Sequence, residues 1–187
     1  MKRLLLVTFL LAAPPASAAP ILLDFDSAAT GSNIIAAPLV TPFGTITASD
    51  AELVTFTSDP EFNAAGASGN KIDHVGSVAA LLFDFDVSAI TLIYGGNFGD
   101  ITIRVRDGSS AIVDSFFQAD TSDGQPAGPI TLTGTGIRRL EWFESDGSFA
   151  GLDNLEIEAA VVPEPASILL AISGLGAFAL RRRHLRR

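Results

Sequence analysis

The sequence predicts an all-β protein, an antiparallel two-sheet β-sandwich of jelly-roll-like topology, and three observations predict it. From Pro20 to Val161, short runs rich in β-branched and aromatic residues are separated by clusters of Gly, Asp, Ser and Pro. No stretch of that segment repeats its apolar residues at helical spacing. Several runs alternate apolar with polar residues, the pattern of a strand with one buried and one wet face. About ten such runs in about 140 residues suit two packed antiparallel sheets.

The elements follow in chain order. Lys2 and Arg3, the apolar stretch Leu4–Ala13 and the small residues Ala16 and Ala18 read as an export signal over 1–18. Signal peptidase is expected to cut between Ala18 and Ala19, because the apolar stretch is far short of the roughly 20 residues that a membrane span needs. Strands are then expected at Ile21–Phe25, Thr45–Ala48, Glu52–Thr57, Ala79–Phe85 and Ile90–Tyr94. Five more are expected at Ile101–Asp107, Ala111–Phe117, Ile130–Thr133, Arg138–Glu144 and Leu152–Glu158. In "ITIRVRD", Ile101, Ile103 and Val105 share one face while Thr102, Arg104 and Arg106 share the other. The "DGSS" at Asp107–Ser110 is a hairpin turn into the next strand.

Charge excludes several functions. The whole chain carries −9, but seven of its twelve Lys and Arg residues lie at the two ends. Residues 19–162 hold 5 Lys/Arg and 20 Asp/Glu, so the body carries 5 − 20 = −15. It has no basic stripe for phosphates, and nucleic acid is excluded as a partner. Without cysteine there is no disulfide, thiolate nucleophile or Cys-based metal site.

Candidate chemistry in the body is sparse. Asp24-Phe25-Asp26 and Asp84-Phe85-Asp86 place carboxylates roughly 7 Å apart on a strand face, within the range of glycosidase pairs. The same spacing arises wherever a strand buries its Phe and wets its acids, and that is the reading taken. His74, in a polar segment read as a loop, has no nucleophile elbow beside it, and His184 lies in the tail. Trp142 in "LEWFE" reads as a core residue. No catalytic residue is assigned, and the body is expected not to be an enzyme.

The tail is more specific. Ala166–Leu180 is uncharged and would extend roughly 22 Å as a helix, short against an apolar membrane core of about 30 Å. Arginine stems that snorkel and local thinning of the bilayer make up part of the difference. Pro165 suits the first helical position, and Glu164 suits the positive end of the helix dipole. Arg181, Arg182, Arg183, Arg186 and Arg187 form a basic cluster over 181–187 that would stay in the cytoplasm, leaving the acidic body outside.

Pro163-Glu164-Pro165, the apolar helix and the terminal arginines, in that order, resemble the PEP-CTERM sorting signal over 162–187. The resemblance implies a Gram-negative bacterial protein held transiently in the inner membrane, recognised and processed by an exosortase, and passed to the cell surface or an exopolysaccharide matrix such as that of a biofilm. The body, 19–161, resembles in "LDFDSAATGSNI", "FDFDVSAITLIYGG", "IRVRDGSSAIV" and "GIRRLEWFESDGSFAGLDNLEIE" the lectin-like and carbohydrate-binding-module-like sandwiches that such proteins carry. Related sandwiches clamp their first strand to their last with a structural calcium ion. The matching oxygen ligands here are Asp24 and Asp26 with Asp153 and Asn154. The expected function is that of a non-enzymatic structural or adhesive component of the surface or secreted polysaccharide. The alternative is a glycan-binding module with a defined sugar site.

Overall fold

A computed structural model describes residues 19–26, 38–55, 65–74, 78–96, 99–120, 127–145 and 150–160. The export signal 1–18, the apolar segment 166–180 and the basic tail lie outside the described residues. Among the described residues no helix is long and apolar enough to cross a membrane. The described residues form an all-antiparallel β-structure of ten strands, consistent with a β-sandwich.

The strands are β1 (Ile21–Leu23), β2 (Leu39–Thr41), β3 (Gly44–Ser49), β4 (Ala51–Thr55), β5 (Asn70–His74), β6 (Ala79–Gly96), β7 (Ile101–Asp107), β8 (Ile112–Gln118), β9 (Ala127–Glu144) and β10 (Ala150–Ala159). Two of them organise the rest. β6 and β9 each run 18 residues, about 60 Å if straight, three times an ordinary strand.

Neither strand keeps one register. Leu82 faces Arg139 and Val87 faces Ile137, so β6 advances five residues where β9 advances two. Ala89 then faces Thr133, so β9 advances four residues where β6 advances two. Excess residues on both strands bend the pair through successive bulges. Gly136, with φ of 66°, lies within the β9 excess, where a side chain would be strained.

The bend divides the pairings into two groups. Before it on β6, Ala79–Leu82 lies between β3 and the C-terminal half of β9, and that half carries β7 and then β8. After it, Val87–Gly95 lies between the N-terminal half of β9 and β10, whose far edge takes β5 and β1. β4 closes that side on β5.

Paired residues share a face, so the registers define the core. Ala79, Trp142, Ile103 and Phe116 form one inward row, and Leu81, Leu140 and Val105 the next. Trp142, Ile103, Leu140 and Val105 are completely buried, as are Leu92, Ile137, Leu152 and Ile157 from the rest of the cluster. Trp142 is thus the core residue its alternation implied. Its indole Nε1 finds no acceptor, a cost of about 1–3 kcal/mol that the surrounding burial must exceed.

Two expected pairs of strands are single strands. Ala79–Phe85 and Ile90–Tyr94 join as β6, and Ile130–Thr133 and Arg138–Glu144 join as β9. The polar and glycine residues between them occupy bulges rather than turns. His74 corrects the loop reading: it ends β5 and is buried. The Asp107–Ser110 hairpin forms as expected, with Ser110 at φ 70° and the Asp107 carboxylate accepting from the backbone of Ser109 and Ala111.

Candidate functional site

Two polar groupings stand out on this frame, one where the ends of the body meet and one on the outer face of β7 and β9.

At the first, β1 pairs with β10, so Asp24 and Asp26 just after β1 come close to Asp153. Asp24 and Asp26 are exposed around the buried Phe25, which agrees with the solvated-face reading. Ser68 links the two ends: its N–H donates to Asp153 Oδ2 at 3.1 Å and its hydroxyl donates to Asp26 Oδ2 at 3.1 Å. Asn70 N–H donates to Asp26 Oδ1 at 2.9 Å. Gly69 passes close beneath that carboxylate at φ 64°, and a Cβ there would lie 2.0 Å from Asp26 Oδ1.

Asn154 sits in a β10 bulge at φ 48°, and its side-chain amide donates to the Gly66 carbonyl at 3.1 Å. Burial pushes the Asp153 carboxyl above its ordinary range, and the charges of Asp26 and Asp24 push the same way against hydrogen bonds from Ser68 and Asn154. The donors are all oxygen, as calcium requires. Among the described residues, however, no group of three or more His, Cys, Asp or Glu is arranged to hold a metal ion. What the structure displays at these four residues is a hydrogen-bonded clamp.

The second grouping was legible only in part. Thr102, Arg104 and Arg106 take the outer face of β7, as their alternation predicts. The register with β9 sets Arg104 opposite Glu141, Arg106 opposite Arg139 and Thr102 opposite Phe143. On the other side, β8 sets Ser115 beside Arg104 and Phe117 beside Thr102.

Glu141 is nearly buried and collects three arginines. Arg104 and Arg106 both donate through Nε to its Oε2, the second at 2.9 Å, and Arg139 Nε lies 2.7 Å from Oε1. Arg104 also lies over the Phe143 ring, 5.3 Å from its centroid. Burial pushes the Glu141 carboxyl up, but hydrogen bonds from Arg106 and Arg104 and the charges of Arg104 and Arg139 outweigh it and hold it below the ordinary range. Sequence reasoning missed Glu141 because two of its three arginine partners, Arg104 and Arg106, come from another strand.

Other sequence-predicted residues serve structure. Asp84 accepts from the Thr45 N–H, and Asp86 pairs with Arg138 at 2.7 Å. His74 Nδ1 accepts from Ala150 N–H at 3.3 Å and lies 3.2 Å from Asp73 Oδ1.

Residues 161–187 match the PEP-CTERM protein-sorting motif. No curated protein matches the chain. Among solved structures, the chain is similar to an arabinose-bound α-L-arabinofuranosidase, MgGH51, with 10% identity and a TM-score of 0.46 over 80% of this chain and 28% of that one. This protein therefore spans little more than a quarter of that enzyme. It is also similar to the CBM22-1 xylan-binding domain of Paenibacillus barcinonensis Xyn10C, with 12% identity and a TM-score of 0.40 over 81% of this chain and all of that one. A third is CsCBM6-3 from Clostridium stercorarium in complex with cellobiose, with 12% identity and a TM-score of 0.36 over 66% and 94% of the two chains.

The depressed pKa of Glu141 gives a signed prediction. A carboxylate held low in the folded state adds stability above its unfolded value of about 4.5, and that contribution is lost as pH falls through the lower folded value. Glu141→Gln should cost about 2 kcal/mol at pH 7, between an exposed and a buried ion pair. The deficit should narrow below about pH 4.5. Thermal melts of both proteins across pH check this, and a deficit that ignores pH would show that shape, not charge, is what Glu141 supplies.

Proposed function

We propose that the protein is a non-enzymatic structural or adhesive component of the bacterial surface or of secreted polysaccharide, delivered there by exosortase processing. The observation that carries the reading is the sorting motif over 161–187. That motif marks an exported protein anchored transiently by its C-terminus and sorted to the cell surface. The route within the proposal is the Gram-negative one: signal peptidase and the export machinery act at Ala18–Ala19, the inner membrane holds 166–180, and Arg181, Arg182, Arg183, Arg186 and Arg187 remain in the cytoplasm.

A net charge of −15 in the body supports a role away from anionic membrane surfaces once the anchor is gone. A jelly-roll-like course of the strands belongs to the same proposal, and the second reading is a glycan-binding module with a defined sugar site. The mixed Arg and aromatic face of β7, β8 and β9 favours glycan binding.

A structural calcium at Asp24, Asp26, Asp153 and Asn154 is also part of the reading. It is supported by the gathering of three carboxylates where β1 meets β10, with the charges of Asp26 and Asp24 acting on the buried Asp153. Calcium accepts irregular oxygen cages that magnesium resists, so millimolar calcium should raise the melting temperature and magnesium should raise it less. Asp153→Asn should abolish that difference. Equal responses to the two ions would mean general screening and remove calcium from the account.

The sorting role has a direct test in the natural host. Changing Pro163, Glu164 and Pro165 to Ala leaves the apolar run and the arginines in place, so insertion should persist while release to the surface stops. Fractionation of cells should then find the chain at full length in the inner membrane. Normal processing and release of the variant would refute exosortase sorting through this motif.

A further inference from the structure

The outer face of β7, β8 and β9 carries an excess of positive charge that its own contacts do not absorb. Of the five Lys and Arg residues in the body, three, Arg104, Arg106 and Arg139, converge on Glu141. The charge of that group is 3 − 1 = +2, within a body of −15. Three guanidiniums present about fifteen N–H donors, and one carboxylate has about four acceptor positions. Arg104 and Arg106 donate to Glu141 through Nε, while Arg139 Nε lies 2.7 Å from Oε1 in an ion pair without making a hydrogen bond. Arg106 Nη1 also donates to the Ser110 carbonyl at 2.8 Å. The arginine side chains remain 22–41% exposed while Glu141 is 5% exposed, so their unused donors face outward above it.

The surroundings of the triad mix hydroxyls with apolar surface. Ser115 lies beside Arg104, and Thr102 separates Phe143 from Phe117, whose ring is 61% exposed. On the β6 side, the partly exposed Leu82 lies opposite Arg139 and has Thr47 of β3 as its other neighbour. Asp84 shares that face farther along β6 and is turned to the Thr45 N–H.

We propose that this face, with Arg104, Arg106 and Arg139 at its centre and Phe117 at its edge, binds a polysaccharide that carries carboxylate groups. Guanidinium forks match the planar, two-oxygen geometry of a carboxylate, and Glu141 already shows that a carboxylate fits among them. The hydroxyl and aromatic neighbours suit sugar hydroxyls and the apolar face of a sugar ring. A protein partner would have to desolvate the triad's net positive charge on burying it, whereas a hydrated polymer leaves it wet. The negative remainder of the body repels the same polymer and so restricts contact to this face. The proposal rests on the reading of the protein as a surface or matrix component and names what it would hold there.

The test uses the full-length chain in non-ionic detergent, with its five tail arginines changed to Gln so that they cannot hold a polyanion. The probes are polygalacturonate and its fully methyl-esterified, uncharged form. Binding to the first and not the second is expected. Arg106→Gln with Arg139→Gln leaves the Arg104–Glu141 pair intact and should weaken binding about tenfold, two exposed charge contacts' worth. Arg138→Gln, an equal change per residue at the Asp86 pair, should leave binding as it was, and melting curves confirm that each variant is folded.

Equal affinity for both probes, indifference to the double substitution, or an equal loss with Arg138→Gln would each overturn the proposal. So would self-association of the chain that the double substitution abolishes without any binding of polygalacturonate, since the occupant would then be a second copy. Surface delivery of the protein is scored separately by cell fractionation. Absence of polygalacturonate binding in a chain that still reaches the surface would refute this proposal and leave the sorting role standing.

Discussion

Everything described in the body depends on the pairing of β6 with β9. A straight antiparallel pair of 18 residues would put all its partners into one flat sheet and leave one face of it to water. The unequal advance between Leu82 and Ala89 bends both strands together, so that β3, β7 and β8 join on one side of the bend and β10, β5 and β1 on the other. Both groups feed side chains into a single cluster that runs from Leu23 to Ile157. The bend therefore determines which residues face inward, and through them the placement of both polar groupings.

That constraint accounts for an outer face unlike the rest of the molecule. With Ile103, Val105, Leu140 and Trp142 turned inward, the intervening residues of β7 and β9 must be outward, and those are Thr102, Arg104, Arg106, Arg139, Glu141 and Phe143. A lone glutamate nearly buried there would carry a large desolvation cost. Three guanidiniums reverse the sign of that cost, and the surplus of donors is what remains available to something outside the chain. The clamp at the other grouping has the opposite balance. Asp153 is buried with acidic neighbours, and only hydrogen bonds from Ser68 and Asn154 oppose the resulting rise in its pKa.

The parts of this legible in the sequence are those governed by period two. The alternation in "ITIRVRD" gave the two faces of β7, and Trp142 was placed in the core by its strand. The hairpin at Asp107–Ser110 followed from its turn residues. The continuity of β6 and β9 was not legible, because Asp84, Asp86, Gly134 and Gly136 look like strand ends, whereas tertiary pairing carries the ladder past them in bulges. β5 was missed because "NKIDH" is polar, although all five of its residues are buried. Glu141 as the anchor of Arg104 and Arg106 depended on a cross-strand register between segments at least 35 residues apart, which no local pattern records. The address in the tail was the most legible feature, since its three parts lie together in the chain.

If the bent β6–β9 pair is the spine, then its two halves must open together. Hydrogen exchange resolved by residue on the full-length chain measures this directly. The amides of Leu81 and Leu140 before the bend and those of Leu92 and Leu132 beyond it should share the slowest rate, the one set by global unfolding, while the short edge strand β2 exchanges sooner. Exchange of the Leu81 and Leu140 amides far ahead of those of Leu92 and Leu132 would show two independently opening sheets and contradict the account.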